Sequence, residues 1–160
     1  MKSNKRNGLF SILLSLAAAL TAQAANAESF EMSVVIDRAH GELVRQGDYD
    51  DAIRSITHGD HRLPFASSNN LCVAQTMSGL FQQANASCDS AVTLAEQAAQ
   101  RGRRRDIDYV TELAIALSNR GVLRARTGDS DGAEEDFSRA VSLNAATDTP
   151  ERNFTLMKNG

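Results

Sequence analysis

The chain has 160 residues, with 17 Lys and Arg against 20 Asp and Glu, no Trp, few aromatics and two Pro. Setting aside residues 1–27, which contain Lys2, Lys5 and Arg6 and no acidic residue, leaves 133 residues with 14 basic and 20 acidic side chains, a net charge of −6. That length suits one domain with a modest core, and that charge argues against non-specific binding to nucleic acid or to an anionic membrane surface.

The first 27 residues have the pattern of an export signal. A basic end is followed by an apolar run from Leu9 to Leu20 and by small residues, with cleavage expected after Ala27. The run is about a dozen residues, short of the roughly 20 that a membrane-spanning helix needs. No Cys follows it, which argues against a lipid anchor. The chain is therefore expected in the periplasm or outside the cell.

Residues 28–39 carry two patterns. Phe30, Met32, Val34 and Ile36 alternate as a half-buried strand would, while Met32, Val35, Ile36, Ala39 and Leu43 suit one face of a helix. Beyond them one spacing occurs three times: Gly47, Ala52, Ile56, Gly59; Gly79, Ala84, Cys88, Ala91; Gly128, Ala133, Phe137, Ala140. From the Ala onward the step is i, i+4, i+7, one helical face. Apolar-periodic segments precede Gly79 and Gly128, so the unit is helix, turn, helix. The small residues Gly121, Ala133 and Ala140 mark where paired helices come close. The fold class expected is all-α, a short array of helix-turn-helix units with an extended N-terminal segment as an option.

These residues resemble the tetratricopeptide repeat family, whose unit is about 34 residues. Residues 114–147 match best, with Gly121, Ala133 and Ala140 at the family's small places and Phe137 at its aromatic place. Residues 65–98 match with Cys72, Ala84 and Ala91, and residues 33–64 match through Ala52, Gly59 and Pro64, although His40 and Gly41 fit the first helix badly. The large aromatic at the fourth place is missing from all three. About 15 extra residues separate the second and third units. Thr149-Pro150-Glu151 reads as a helix start, and residues 148–160 as a helix capping the open end of the stack.

The resemblance implies a groove lined by first helices that holds extended peptides. By place, its lining would be Asn69, Asn70, Val73, Thr76 and Met77 in the second unit and Ser118, Asn119, Val122 and Arg126 in the third. Asn119 stands where some family members hold a ligand backbone with asparagine, although Asn119-Arg120-Gly121 also fits as plain repeat sequence. The Lys and Arg of a carboxylate-gripping groove are absent from the matching places of the first two units.

Cys72 and Cys88 lie eight residues before and after Leu80, the centre of a predicted turn. Residues equidistant from the turn of an antiparallel hairpin sit level, and close packing at Ala84 and Ala91 brings them within disulfide reach. An exported chain meets oxidising conditions, so a Cys72–Cys88 bond is expected, worth about 3 kcal/mol for a loop of this size.

Catalytic patterns are missing. His58 and His61, with His40 elsewhere, offer at most part of a metal site without further ligands in view. No nucleophile elbow or phosphate loop occurs, and Asp50-Asp51 and Glu134-Glu135 suit solvated faces. Arg101, Arg103, Arg104 and Arg105 form a basic cluster, readable as a receptor for a carboxylate or anionic headgroup or as an exposed connector balanced by Asp106 and Asp108. The reading is a non-catalytic binding module for a protein or peptide, with no metal or cofactor. The alternatives are a metal-dependent or enzymatic protein using the three histidines, and a self-associating envelope protein.

Overall fold

A computed structural model describes residues 29–37, 40–59, 64–101 and 109–159. The expected export signal, His61, and Arg103, Arg104 and Arg105 lie outside these. The described residues form an all-α architecture of seven helices and no strand: α1 (Gly41–Gln46), α2 (Tyr49–His58), α3 (Pro64–Met77), α4 (Phe81–Arg101), α5 (Tyr109–Thr127), α6 (Ser130–Ser142) and α7 (Thr149–Asn159).

Three hairpins, α1–α2, α3–α4 and α5–α6, are built on the same turn. Gly47, Gly79 and Gly128 adopt φ of 85°, 74° and 86°, the left-handed region that L side chains avoid. Each turn closes the preceding helix with the paired bonds of a Schellman motif. The glycine N–H donates to the carbonyl three residues back, and the next N–H to the carbonyl five back, as in Asp48 to Leu43, Leu80 to Gln75 and Asp129 to Arg124. The residue after the glycine then starts the second helix by accepting from Ala52, Ala84 and Ala133. Asp129 adds a side-chain cap, accepting from Gly132 N–H at 3.0 Å.

Those three alanines are fully buried, as are Cys88 and Phe137 one turn further on. Their small size sets the close approach within each hairpin. A Cβ on Gly121 would stand 2.6 Å from the Phe137 ring, so α5 and α6 touch through an aromatic ring set against a glycine. In the α3–α4 hairpin the same closeness places the Cα atoms of Cys72 and Cys88 4.8 Å apart, and the two are disulfide-bonded. Between the second and third hairpins, Ala91, Val92 and Ala95 pack on Leu113, Ala116, Leu117 and Ala140. Helix α7 packs on α5 and α6 at the end of the stack.

Arg120 fixes how α5 sits between its neighbours. Its guanidinium donates twice to Asp136 on α6, at 2.9 and 2.8 Å, and once to Asp89 on α4 at 3.0 Å. Asp136, only 2% exposed, also pairs with Arg124 at 3.0 Å. Donating to the Asp136 carboxylate raises the Arg120 pKa above its ordinary value, with burial opposing. A buried carboxylate held by two guanidiniums is compensated where an unpaired one would be costly.

The N-terminal unit departs from the repeat expected over residues 33–64. Its first helix is only six residues long, beginning at Gly41, and residues 29–37 form neither helix nor strand. The helical option for residues 28–39 is therefore wrong over its described part. No strand forms either: Phe30, Met32 and Val34 pack on apolar clusters of the helices, while Ile36, the last of the alternating residues, is 63% exposed. Residues 38 and 39 lie outside the described set. Helix α7 opens at Thr149 itself, one residue before the proline.

The close contact at Gly121 gives a direct test. Gly121→Ala favours helix locally but forces the Phe137 ring to move. We expect about 2 kcal/mol of destabilisation, read as a melting temperature several degrees lower, with helical circular dichroism retained. An unchanged or raised melting temperature would mean that the two helices do not meet there.

Candidate functional site

The helices α3, α5 and α7 present one continuous lining, and the extended residues 30–35 lie in it as a strap. In an extended chain, the N–H and C=O of one residue point to the same side and those of the next residue to the other. A carboxamide has one acceptor and one donor group side by side, so an asparagine can pair with both main-chain groups of a single residue. That happens three times. Asn153 on α7 accepts from Glu31 N–H at 2.9 Å and donates to Glu31 C=O at 2.8 Å. Asn119 on α5 accepts from Ser33 N–H and donates to Ser33 C=O, both at 2.8 Å. Asn70 on α3 does the same to Val35, at 2.9 and 2.8 Å.

The second amide hydrogen is used in two of the three. Asn119 gives it to Asn69 Oδ1 at 2.9 Å, and Asn153 to Ser118 Oγ at 3.0 Å. In both cases the acceptor is on the preceding helix of the lining. Asn69 adds a further donor to Ser33 C=O at 3.0 Å. All four asparagines are buried, and buried amides without partners would each cost about 1–3 kcal/mol. The lining is thus made for an extended main chain.

Side chains between the rungs enter apolar sockets. The Phe30 ring stacks on Phe137 with centroids 5.4 Å apart, in a cluster with Val122 and Ala133 and, at its edge, Phe154 and Met157. Met32 reaches three clusters, including the one containing Cys72, Cys88 and Leu123. Val34 packs with Val44, Ala52, Val73 and Ala74. At the rim, Glu31 pairs with Arg152 at 2.7 Å. Past the last rung the chain crosses α1 so closely that a Cβ on Gly41 would stand 2.3 Å from the Val35 carbonyl oxygen. Asp37 then accepts from His40 and Gly41 N–H at 2.7 and 2.8 Å, turning the chain into α1. The glycine that suits a repeat helix poorly is what lets the strap pass.

Of the residues expected to line a groove, Asn69, Asn70, Val73, Ser118, Asn119 and Val122 come together around the strap. Thr76 is buried, with its hydroxyl unpartnered among the described residues. Met77 is 39% exposed and Arg126 is exposed. Treating Asn119 as plain repeat sequence is corrected, since its side chain makes three hydrogen bonds in the groove. Two parts were not foreseen. Asn153, within the cap expected over residues 148–160, stands 34 positions after Asn119 and so occupies the equivalent place. The occupant itself was the other, its alternation being visible but not its destination.

The remaining candidates stay apart from this groove. Arg101 is exposed, with a 3.4 Å bond to Gln97. His40 is buried with its ring Nδ1 3.1 Å from Ser55 Oγ, and His58 is exposed at the end of α2. Among the described residues, no group of three or more His, Cys, Asp or Glu is placed to hold a metal ion, and no helix is long and apolar enough to cross a membrane.

The central rung can be tested through charge. Asn119→Asp keeps an acceptor for Ser33 N–H but sets a carboxylate oxygen against Ser33 C=O and Asn69 Oδ1. Burial and these neighbours raise the new group's pKa above its unfolded value of about 3.9. The folded state then binds the proton more tightly than the unfolded one, so relative stability increases as pH falls. Urea unfolding should show Asn119→Asp weakened by roughly 2–3 kcal/mol near neutral pH, with part of the loss recovered near pH 5 after subtracting the wild-type change. A deficit that does not depend on pH would contradict the bidentate pairing.

Compared with family models, with curated proteins and with solved structures, the chain matches none.

Proposed function

We propose that this protein is a non-catalytic module of tetratricopeptide type, acting outside the cytoplasm by holding an extended stretch of another polypeptide. The observation that carries the proposal is the repeated pairing of Asn70, Asn119 and Asn153 with alternate residues of an extended main chain. Side-chain amides spaced in this way recognise polypeptide in general, and the apolar sockets between them select among sequences. The equal turns at Gly47, Gly79 and Gly128 support the repeat assignment, and the Cys72–Cys88 bond supports an oxidising compartment.

A photo-crosslinking side chain at Met77 or Arg126, both exposed and both at lining places, tests this in cells producing the full chain. Adducts with a second polypeptide are expected from these positions and not from Glu135, exposed on α6. Adducts that form equally from Glu135, or none from the lining positions, would contradict a peptide-holding groove.

A further inference from the structure

We infer that residues 30–35 are an internal ligand that is displaced when the groove takes its external one, and that the strap's own sequence describes that ligand. This rests on the reading of the groove as a peptide-binding site. The external ligand is an extended segment of another protein with an aromatic residue, a long flexible apolar residue and a β-branched residue at alternate positions. The three positions corresponding to Glu31, Ser33 and Val35 carry a free N–H and so exclude proline, and an acidic residue at the first of them faces Arg152.

The ladder contacts only main-chain atoms of the strap, so it holds any extended chain that lacks proline at the rungs. The strap lies at the surface. Phe30, Met32 and Val34 are half-buried, and Ile36 is 63% exposed. The packing of α4 against α5 and α6, through Val92, Leu113 and Leu117, contains no strap residue. Lifting the strap therefore opens the groove without opening that core. An empty groove would strand the four buried asparagines, so the strap yields to a competing chain more readily than to a vacancy.

Tethering sets the threshold. A segment joined to its own site acts at an effective concentration in the millimolar range. If the strap is seated about 99% of the time, an external peptide binds about 100-fold more weakly than to an open groove.

The test uses a fluorescent peptide with the sequence of residues 29–37, SFEMSVVID, titrated into the purified full chain. Ser33→Pro removes the N–H of the central rung. Gly41→Ala places a methyl group against the Val35 carbonyl while favouring α1. Glu31→Lys, at an exposed rim position, turns attraction to Arg152 into repulsion. We expect Ser33→Pro and Gly41→Ala to bind the peptide at least about tenfold more tightly than wild type, with Glu31→Lys between, and a peptide carrying proline in place of Ser33 not to bind. Should Ser33→Pro lose its helical signal, Glu31→Lys and Gly41→Ala still decide.

Folded variants that bind no better than wild type would show the strap to be a fixed part of the fold. Dimers formed by strap exchange in the wild type, seen by light scattering, would assign the groove to a second copy and also overturn the inference. Tight peptide binding by the variants without any cellular adduct would instead remove the proposed function and leave the displaceable strap standing. Adducts in cells with unchanged variants would do the reverse.

Discussion

A carboxamide paired with both main-chain groups of one residue imitates the edge of a neighbouring strand, and the organisation of this molecule follows from doing so three times in register. For Asn70, Asn119 and Asn153 to meet alternate residues of one extended chain, α3, α5 and α7 must present equivalent faces at a regular spacing. Two residues of extended chain advance about 6.6 Å, slightly less than the roughly 8–10 Å between packed helix axes. For the rungs to stay in register the lining helices must pack at the close end of that range. The small residues between helices and the asparagines facing the strap are parts of one arrangement.

Several features hold that register from behind. Phe137 touches Gly121 and also stacks with Phe30, so the residue joining α5 to α6 also forms part of a strap socket. Arg120, next to Asn119 in sequence, points to Asp89 and Asp136 and fixes the rotation of α5 about its axis. The disulfide pins the hairpin that carries Asn69 and Asn70, and Met32 packs against it. A helix so restrained loses little freedom when its amides bind, which favours holding a chain by a few well-placed groups.

What could be read in the sequence was local. The i, i+4, i+7 steps after each turn glycine predicted the second helices, and the symmetry about Leu80 predicted the disulfide, because both depend on geometry within one hairpin. The strap could be read only in part. The alternation of Phe30, Met32 and Val34 implied an extended chain, but its partners lie as far as 122 positions away in sequence, and no local period encodes them. Gly41 was noticed as a misfit within a helix, and its reason, a crossing main chain, belongs to tertiary structure. The same holds for Asp136, an ordinary acidic residue on an amphipathic helix until Arg120 and Arg124 close over it.

Amide hydrogen exchange along the strap tests this arrangement most directly. The N–H groups of Glu31, Ser33 and Val35 face the asparagines, whereas those of Met32 and Val34 face the opposite edge. Slow exchange at the first three and fast exchange at the two between is the result this structure predicts. Uniformly fast exchange from residue 30 to residue 35, or protection without alternation, would mean that the asparagine ladder does not hold the chain.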